Sequence, residues 1–381
     1  MNERRPMTTR AAVLTEIGAP RPYARSRPLT VAELELDPPG EGELLVRVEA
    51  AGVCHSDLSV VDGSRVRPVP MALGHEAAGV VVDVGPAVRD VRPGDHVVLV
   101  FVPACGSCPH CNAGTPALCA PAATANGAGT LLRGAHRLRR NGTAVHHHLG
   151  VSAFSEYAVV DRASAVVIPD DVPFPVAALF GCALLTGVGA VQHTVSVRPG
   201  ESVAVFGLGG VGLAAVMGAA VAGAYPLIAV DPVAAKRDLA LELGATHALH
   251  PDDVPEGLPA EAVGGVRYAV EAVGHPGALA AAYTATGRGG TTVTVGLPHP
   301  DAELRLPALS LVTEAKTLVG SYLGSAAPQR DVPRLVALWR AGRLPVERLH
   351  SASLPLERIN EAMDDLADAG VVRQIILPVQ R

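Results

Sequence analysis

Four of the six cysteines in this chain, Cys105, Cys108, Cys111 and Cys119, follow one another as C-x2-C-x2-C-x7-C. That spacing lets one loop wrap four thiols around a single tetrahedral ion, and thiolates are the ligands zinc takes in closed sites. No export signal is legible, so the thiols are expected to be reduced, which favours a four-thiolate zinc site over disulfides. A site filled entirely by protein leaves no place for substrate, so its role would be structural. An iron–sulfur or redox cluster is the competing use of the same ligands. The other two cysteines, Cys54 and Cys182, are far apart, and His75 lies in the Gly74-His75-Glu76 turn. Each alone reads as an interior residue, because a buried cysteine is usually a small hydrophobe. Together they would supply two sulfurs and an imidazole with a fourth position open, the arrangement of a catalytic zinc. Spacing alone leaves their convergence open.

A second constellation is Gly207-Leu208-Gly209-Gly210-Val211-Gly212, which follows the apolar run Val203 to Phe206 and opens an apolar helix. Glycines there permit a tight turn and close backbone approach, and a helix N-terminus favours a pyrophosphate. The next strand, LIAV, ends in Asp231, at the distance expected of a carboxylate that accepts bonds from both ribose hydroxyls. Asp231 would repel a 2′-phosphate, so NAD is expected rather than NADP, with Lys236 and Arg237 partly offsetting that repulsion. A glycine-rich packing turn without ligand is the plainer alternative.

These groups need elements to position them. From about Val31 to Val102 the chain reads as short β runs (LLVRVEAAGV, AAGVVVDVG, DHVVLVF) broken by Pro-Gly pairs. Residues 103–150 show little regular pattern, and their basic stretch RGAHRLRRNG reads as a solvated surface loop. Beyond about Leu184 helix and strand alternate, which implies a doubly wound parallel sheet in an α/β protein. The end of the chain, from about Pro328, returns to mixed elements closing in the strand-like RQIILPV, which is expected to rejoin the first domain.

The 381 residues, 49% of them hydrophobic, suit two domains. A net charge of −6 offers no general attraction to nucleic acid or anionic lipid. The start, MNERRPMTTR, has charge without an apolar run behind it, so a cytoplasmic protein is expected, with Met7 as an alternative start. Ser202 to Val230 carries no charge over a span of membrane-crossing length, but its glycines and Pro226 divide it into strand, turn, helix and strand. No membrane partner is expected.

Taken together, Gly52-Val53-Cys54-His55-Ser56-Asp57, Gly74-His75-Glu76, the four-cysteine lobe, His146 to Tyr157, Gly181 to Gly187 and GLGGVG resemble the zinc-containing medium-chain alcohol dehydrogenases over almost the whole chain. The long 120–150 segment is similar to the branch holding the liver-type enzymes and glutathione-dependent formaldehyde dehydrogenase. The resemblance implies a GroES-like β-rich catalytic domain, residues 1–183 and 327–381 with a zinc lobe near 103–120, plus a Rossmann NAD-binding domain, residues 184–326. It implies two zinc ions per chain, the catalytic one on Cys54, His75 and Cys182, with Glu76 as the acid beside the metal. Asp57 matches the carboxylate that orients the zinc-bound histidine. Ser56 matches the hydroxyl that bonds the substrate oxygen and takes its proton.

His55 and Arg373 match positions near the cofactor pyrophosphate, and Lys236 one near the adenosine ribose. Thr186, Val211 and Val295 match residues packing around the nicotinamide, while Phe101, His148 and Leu149 match the substrate-pocket wall. Ser59 departs from the pattern, because many relatives carry there the histidine that ends the proton relay; water or His55 is expected to serve instead. His55 itself stands where many relatives have arginine. The implied activity is hydride transfer between a primary aliphatic or aromatic alcohol or aldehyde and NAD(H), with an alkoxide formed on the catalytic zinc. The alternatives are a thiol-adduct formaldehyde dehydrogenase acting on an S-hydroxymethyl-glutathione-like substrate, and a non-catalytic nucleotide-binding protein. Small-molecule partners and a homodimer or homotetramer are expected.

Overall fold

The computed structural model describes residues 5–379, apart from the side chains of Pro255 and Glu256. Residues 1–4 and 380–381, which include the start of the MNERRPMTTR segment and the extremities of the expected catalytic domain, lie outside the described residues. The chain divides into two compact units, one of Met1–Cys182, Ala327–Val336 and Val346–Arg381, the other of Ala183–Ala326 and Ala337–Pro345. Residues 337–345 thus group with the second unit, whereas the expected catalytic domain takes in all of 327–381. They are the end of the helix Pro328–Arg340 and the turn after it, and no glycine or proline marks the crossing within that helix.

The first unit is β-rich. Met7–Leu14, Leu29–Leu36, Leu138–Arg140, Thr143–His147 and Met71–Ala72 close a small barrel. A seven-stranded sheet runs in the order Ala165–Ile168, His96–Leu99, Glu76–Val84, Glu43–Gly52, Arg373–Leu377, His350–Pro355, with Tyr157–Asp161 also paired to Glu43–Gly52. Alternate side chains of these strands, among them Leu44, Val46, Val48, Ala77, Val97 and Ile376, enter one interior with Phe154. Register decides what else meets. Gly52 stands opposite Glu76, Ala77 opposite Leu99, and Gly52 opposite Ile375. The residues just beyond those pairs, Cys54, His75, Phe101 and Arg373, therefore gather at one end of the sheet.

The 103–150 segment is more regular than its sequence suggests. It contains the helix Ala120–Ala128 and a hairpin, Leu138–Arg140 with Thr143–His147, that completes the barrel. Asn141 and Gly142 turn the hairpin with φ of 51° and 78°, the left-handed pair that an Asn-Gly two-residue loop requires. The basic stretch is only partly the solvated loop expected: Arg133 and Arg140 are exposed, but Leu138–Arg140 is a strand, Arg137 bonds Glu43 at 2.8 Å, and Arg139 and Arg133 reach Asp37 and Asp161 at 3.3 Å each.

In the second unit, six parallel strands run in the order His247–Leu249, Leu227–Val230, Val203–Phe206, Val266–Glu271, Thr286–Thr294, Thr317–Gly320. This is the 3-2-1-4-5-6 order of a dinucleotide-binding sheet. The uncharged Ser202–Val230 span resolves into strand, helix and strand. The one helix among the described residues long and apolar enough to cross a membrane is Phe174–Thr194, and 89% of its apolar window is buried within the protein.

Candidate functional site

Cys54 caps the short helix His55–Val61, and the cap is reciprocal: Asp57 reaches back to the Cys54 N–H at 3.1 Å while the Cys54 side chain receives the Asp57 N–H. This local geometry fixes Cys54 and Asp57 together. Cys182 arrives from the helix Phe174–Leu179, which widens into a π turn over Phe180–Leu184. The helix lies close on the strand His96–Leu99 because residue 181 is glycine; a Cβ there would sit 2.2 Å from the Leu99 carbonyl oxygen.

The structure brings Cys54, His75, Glu76 and Cys182 together, one ligand atom of each within 4.8 Å of the others and all four residues buried. His75 Nε2 lies 3.6 Å from Cys182 Sγ. Tetrahedral zinc with bonds of 2.0–2.3 Å separates nitrogen and sulfur ligands by roughly that distance. The Cys182 thiol hydrogen bond, with Arg373 and His75 nearby, holds Cys54 well below the ordinary thiol range, while Cys182 is pushed up by that bond and by burial. Glu76 has neither carboxylate oxygen hydrogen-bonded, and burial pushes it up to about 7 despite Arg373 Nη1 at 3.4 Å. A buried, under-partnered set of two sulfurs, one imidazole and one carboxylate fits a soft divalent cation.

Behind the imidazole, His75 Nδ1 bonds Asp57 Oδ1 at 3.0 Å, which leaves Nε2 for a metal. Burial opposes the Asp57 charge, yet His75 and His148 outweigh it and hold the carboxyl at about 2. Phe101 and His148 each meet the His75 ring edge-on at 5.4 Å between centroids. Leu149 is buried with φ of 51°. Ser56 is half-buried on the first helical turn and His55 is exposed. Ser59 Oγ donates to the His55 carbonyl at 2.8 Å. Arg373, expected near a pyrophosphate, is buried, with Nη1 on the Val53 carbonyl at 2.8 Å.

Cys105, Cys108, Cys111 and Cys119 also converge within 4.8 Å, with sulfur pairs 105–111 and 108–119 at 4.0 Å. Zinc–sulfur bonds of about 2.3 Å put tetrahedral sulfurs roughly 3.8 Å apart. The Cys105 N–H points at Cys119 Sγ (3.3 Å) and the Cys108 N–H at Cys105 Sγ (3.4 Å), donors suited to thiolates. Backbone N–H groups lower Cys105 to about 6, whereas burial and neighbouring thiols raise Cys111 to about 12. Four sulfurs so close cannot all ionise without a cation. All six cysteines are free.

In the second unit, the turn Gly207-Leu208-Gly209 joins the strand Val203–Phe206 to the helix Gly210–Ala222. Gly212 lets helix and strand touch, since a Cβ there would fall 1.7 Å from the Gly207 carbonyl oxygen. Nothing lies within 4 Å of a Cβ built on Gly209, so the turn has room for a phosphate. Asp231 is buried and accepts the Leu208 and Val233 N–H groups at 2.8 Å each, one on each oxygen. Lys236 is nine-tenths buried and held below the ordinary lysine range by that burial. Thr186 is buried; Val211 and Val295 are half-buried, and the Val295 N–H bonds Glu271 O at 2.9 Å.

Sequence reasoning missed Asn126, whose buried amide donates to the Phe101 carbonyl at 2.8 Å and ties the helix Ala120–Ala128 to the site. It also missed the approach of His148 to Asp57, 3.1 Å from Nδ1 to Oδ1. Neither has a sequence signal, because both contacts join distant segments.

A GroES-like β unit with two clusters of side chains able to hold a metal and a Rossmann unit define a zinc-type medium-chain dehydrogenase. Residues 40–170 match the family of the alcohol dehydrogenase GroES-like domain, and residues 210–340 that of the zinc-binding dehydrogenase domain. The chain is 41% identical to the NDMA-dependent alcohol dehydrogenase of Amycolatopsis methanolica over 97% of its own length and 99% of that protein. It is 36% identical to the S-(hydroxymethyl)glutathione dehydrogenase of Synechocystis, over 97% of this chain and all of that one. The solved structure of benzyl alcohol dehydrogenase from Acinetobacter calcoaceticus superposes with a TM-score of 0.89 at 33% identity, covering 98% and 100% of the two chains. The chain belongs to the zinc-binding alcohol dehydrogenase family and is an alcohol dehydrogenase.

Proposed function

We propose that this chain interconverts primary alcohols, aliphatic or aromatic, and aldehydes with NAD(H), using a zinc ion on Cys54, His75 and Cys182 and a structural zinc on Cys105, Cys108, Cys111 and Cys119. The observation that carries the reading is the convergence of Cys54, His75 and Cys182 beside a buried Glu76 whose carboxylate oxygens accept no hydrogen bond. When bound, zinc supplies Lewis acidity toward an alcohol or carbonyl oxygen and NAD supplies the hydride acceptor. Asp57 keeps the His75 proton on Nδ1 so that Nε2 is free to ligate. Ser56 receives the hydroxyl proton of the substrate. Because Ser59 donates to a backbone carbonyl, the proton leaves through water or His55 rather than Ser59. Arg373 balances the charge of Glu76. On the nucleotide turn, the N-terminus of Gly210–Ala222 receives the pyrophosphate and Asp231 the ribose hydroxyls.

Cys54→Ala and His75→Ala should abolish turnover while leaving a folded chain that still binds NAD. Near-native activity in either purified variant sinks the zinc reading. Two relatives favour second readings, one dependent on NDMA and one acting on a glutathione adduct. Assaying alcohols with NAD alone against NAD plus NDMA, and formaldehyde with and without glutathione, separates them. The homodimer or homotetramer belongs to the same reading. It is supported by the helix Ala308–Thr313, which buries none of its residues and leaves Leu309 and Val312 over 70% exposed, and sedimentation checks it.

A further inference from the structure

His148 follows the barrel strand Thr143–His147, and its N–H is anchored to Ala72 O at 3.2 Å and Ser152 Oγ at 3.0 Å. The imidazole is 2% exposed. Its Nδ1 is sealed from solvent, lies 3.1 Å from Asp57 Oδ1, and lacks the alignment of a hydrogen bond. The reason is saturation. Asp57 Oδ1 already accepts His75 Nδ1 at 3.0 Å and the Gly74 N–H at 3.2 Å, and a carboxylate oxygen has two lone pairs. Asp57, His75 and His148 nonetheless bring their polar atoms within 4.8 Å of one another, all buried. A lone pair on His148 Nδ1 facing the carboxylate would be repelled, so the proton sits on Nδ1.

We infer that His148 is a positioning residue for the metal-binding imidazole: its Nδ1–H dipole, 3.1 Å from Asp57 Oδ1, restrains that carboxylate by electrostatic attraction rather than by a hydrogen bond, and through Asp57 the orientation of His75. Nothing in local sequence requires a donor here, and a purely apolar wall residue would leave Asp57 held only by His75 and two backbone N–H groups, those of Gly74 and Cys54. Groups that orient a ligating histidine typically change metal affinity or activity about 10- to 100-fold when removed. The inference rests on the zinc reading of Cys54, His75 and Cys182.

The test compares His148→Leu with His148→Asn, two side chains of nearly the same shape of which only the second offers an N–H. Zinc is counted per chain, the chelator concentration that removes the catalytic-site zinc is measured, and the visible spectrum is recorded after cobalt exchange. A Cys182→Ser control identifies that zinc. We expect the Leu variant to release it at ~10- to 100-fold lower chelator concentration with a shifted cobalt spectrum, and the Asn variant to recover most of both. Equal behaviour of Leu and Asn overturns the inference, and so does a Leu variant that matches wild type. If Leu does not fold, His148→Phe replaces it in the same comparison. A wild-type chain that retains only lobe zinc overturns the zinc reading itself, which separates the two failures.

Discussion

Asp57 Oδ1 accepts the His75 Nδ1 proton at 3.0 Å with both side chains sealed from solvent, and the same carboxylate caps the Cys54 N–H through Oδ2 at 3.1 Å. One acid thereby holds two proposed zinc ligands. Asp57→Asn should keep the shape but lose the charge, so that the amide has to turn either its oxygen or its NH2 toward His75. We expect zinc affinity at this site to drop about 10- to 100-fold, read by chelator competition. Unchanged affinity would mean that the carboxylate serves only as the helix cap.

The lobe should behave differently, because its four sulfurs hold only one another and a few N–H groups. Cys111→Ser is expected to lower the melting temperature and the zinc content by one per chain before it alters the kinetics of the enzyme that remains folded. A variant that melts normally with its full zinc complement would remove the structural assignment.

The two clusters of candidate metal ligands differ in how far the sequence reveals them. The lobe is local: four cysteines within a short stretch announce themselves by spacing. Cys54, His75 and Cys182 meet only because Gly52 pairs with Glu76 and Gly181 clears the Leu99 carbonyl, and no spacing rule encodes a sheet register. The nucleotide turn was legible for the opposite reason, since strand, glycines, helix and acid follow in order. The Asn141-Gly142 hairpin went unread inside a segment expected to be a surface loop, and the partners of its neighbouring arginines, Glu43, Asp37 and Asp161, come from elsewhere in the chain.

Cofactor choice turns on Asp231, which also accepts the Leu208 and Val233 N–H groups. Asp231→Gly should raise kcat/KM with NADP, helped by Arg237, whose Nη1 is held on the Asp231 and Pro232 carbonyls at 2.7 and 2.9 Å. Losing two backbone bonds should also cost about 1–3 kcal/mol, visible as a lower melting temperature. A variant with no gain on NADP would count against the ribose contact even if its stability fell as expected.

Acid stability should report on His147, which is fully buried next to His148. Its Nε2 accepts the Arg137 N–H at 3.1 Å and its Nδ1 faces Ser152 Oγ at 3.4 Å, so a second proton would meet a donor. Burial, reinforced by His136 and Arg137, holds the imidazole at about 3 rather than 6.5. Between those values the unfolded chain binds the proton and the folded chain does not, so stability is complete above the unfolded value and falls as the pH drops from 6.5 toward 3. One such group contributes a slope of up to about 1.4 kcal/mol per pH unit. His147→Gln lowers stability at neutral pH but should flatten that slope in denaturant titrations between pH 6.5 and 4.5, a window set by the two values. A variant with an unchanged slope would place the acid sensitivity elsewhere, His136 being the next candidate because burial shifts it in the same direction.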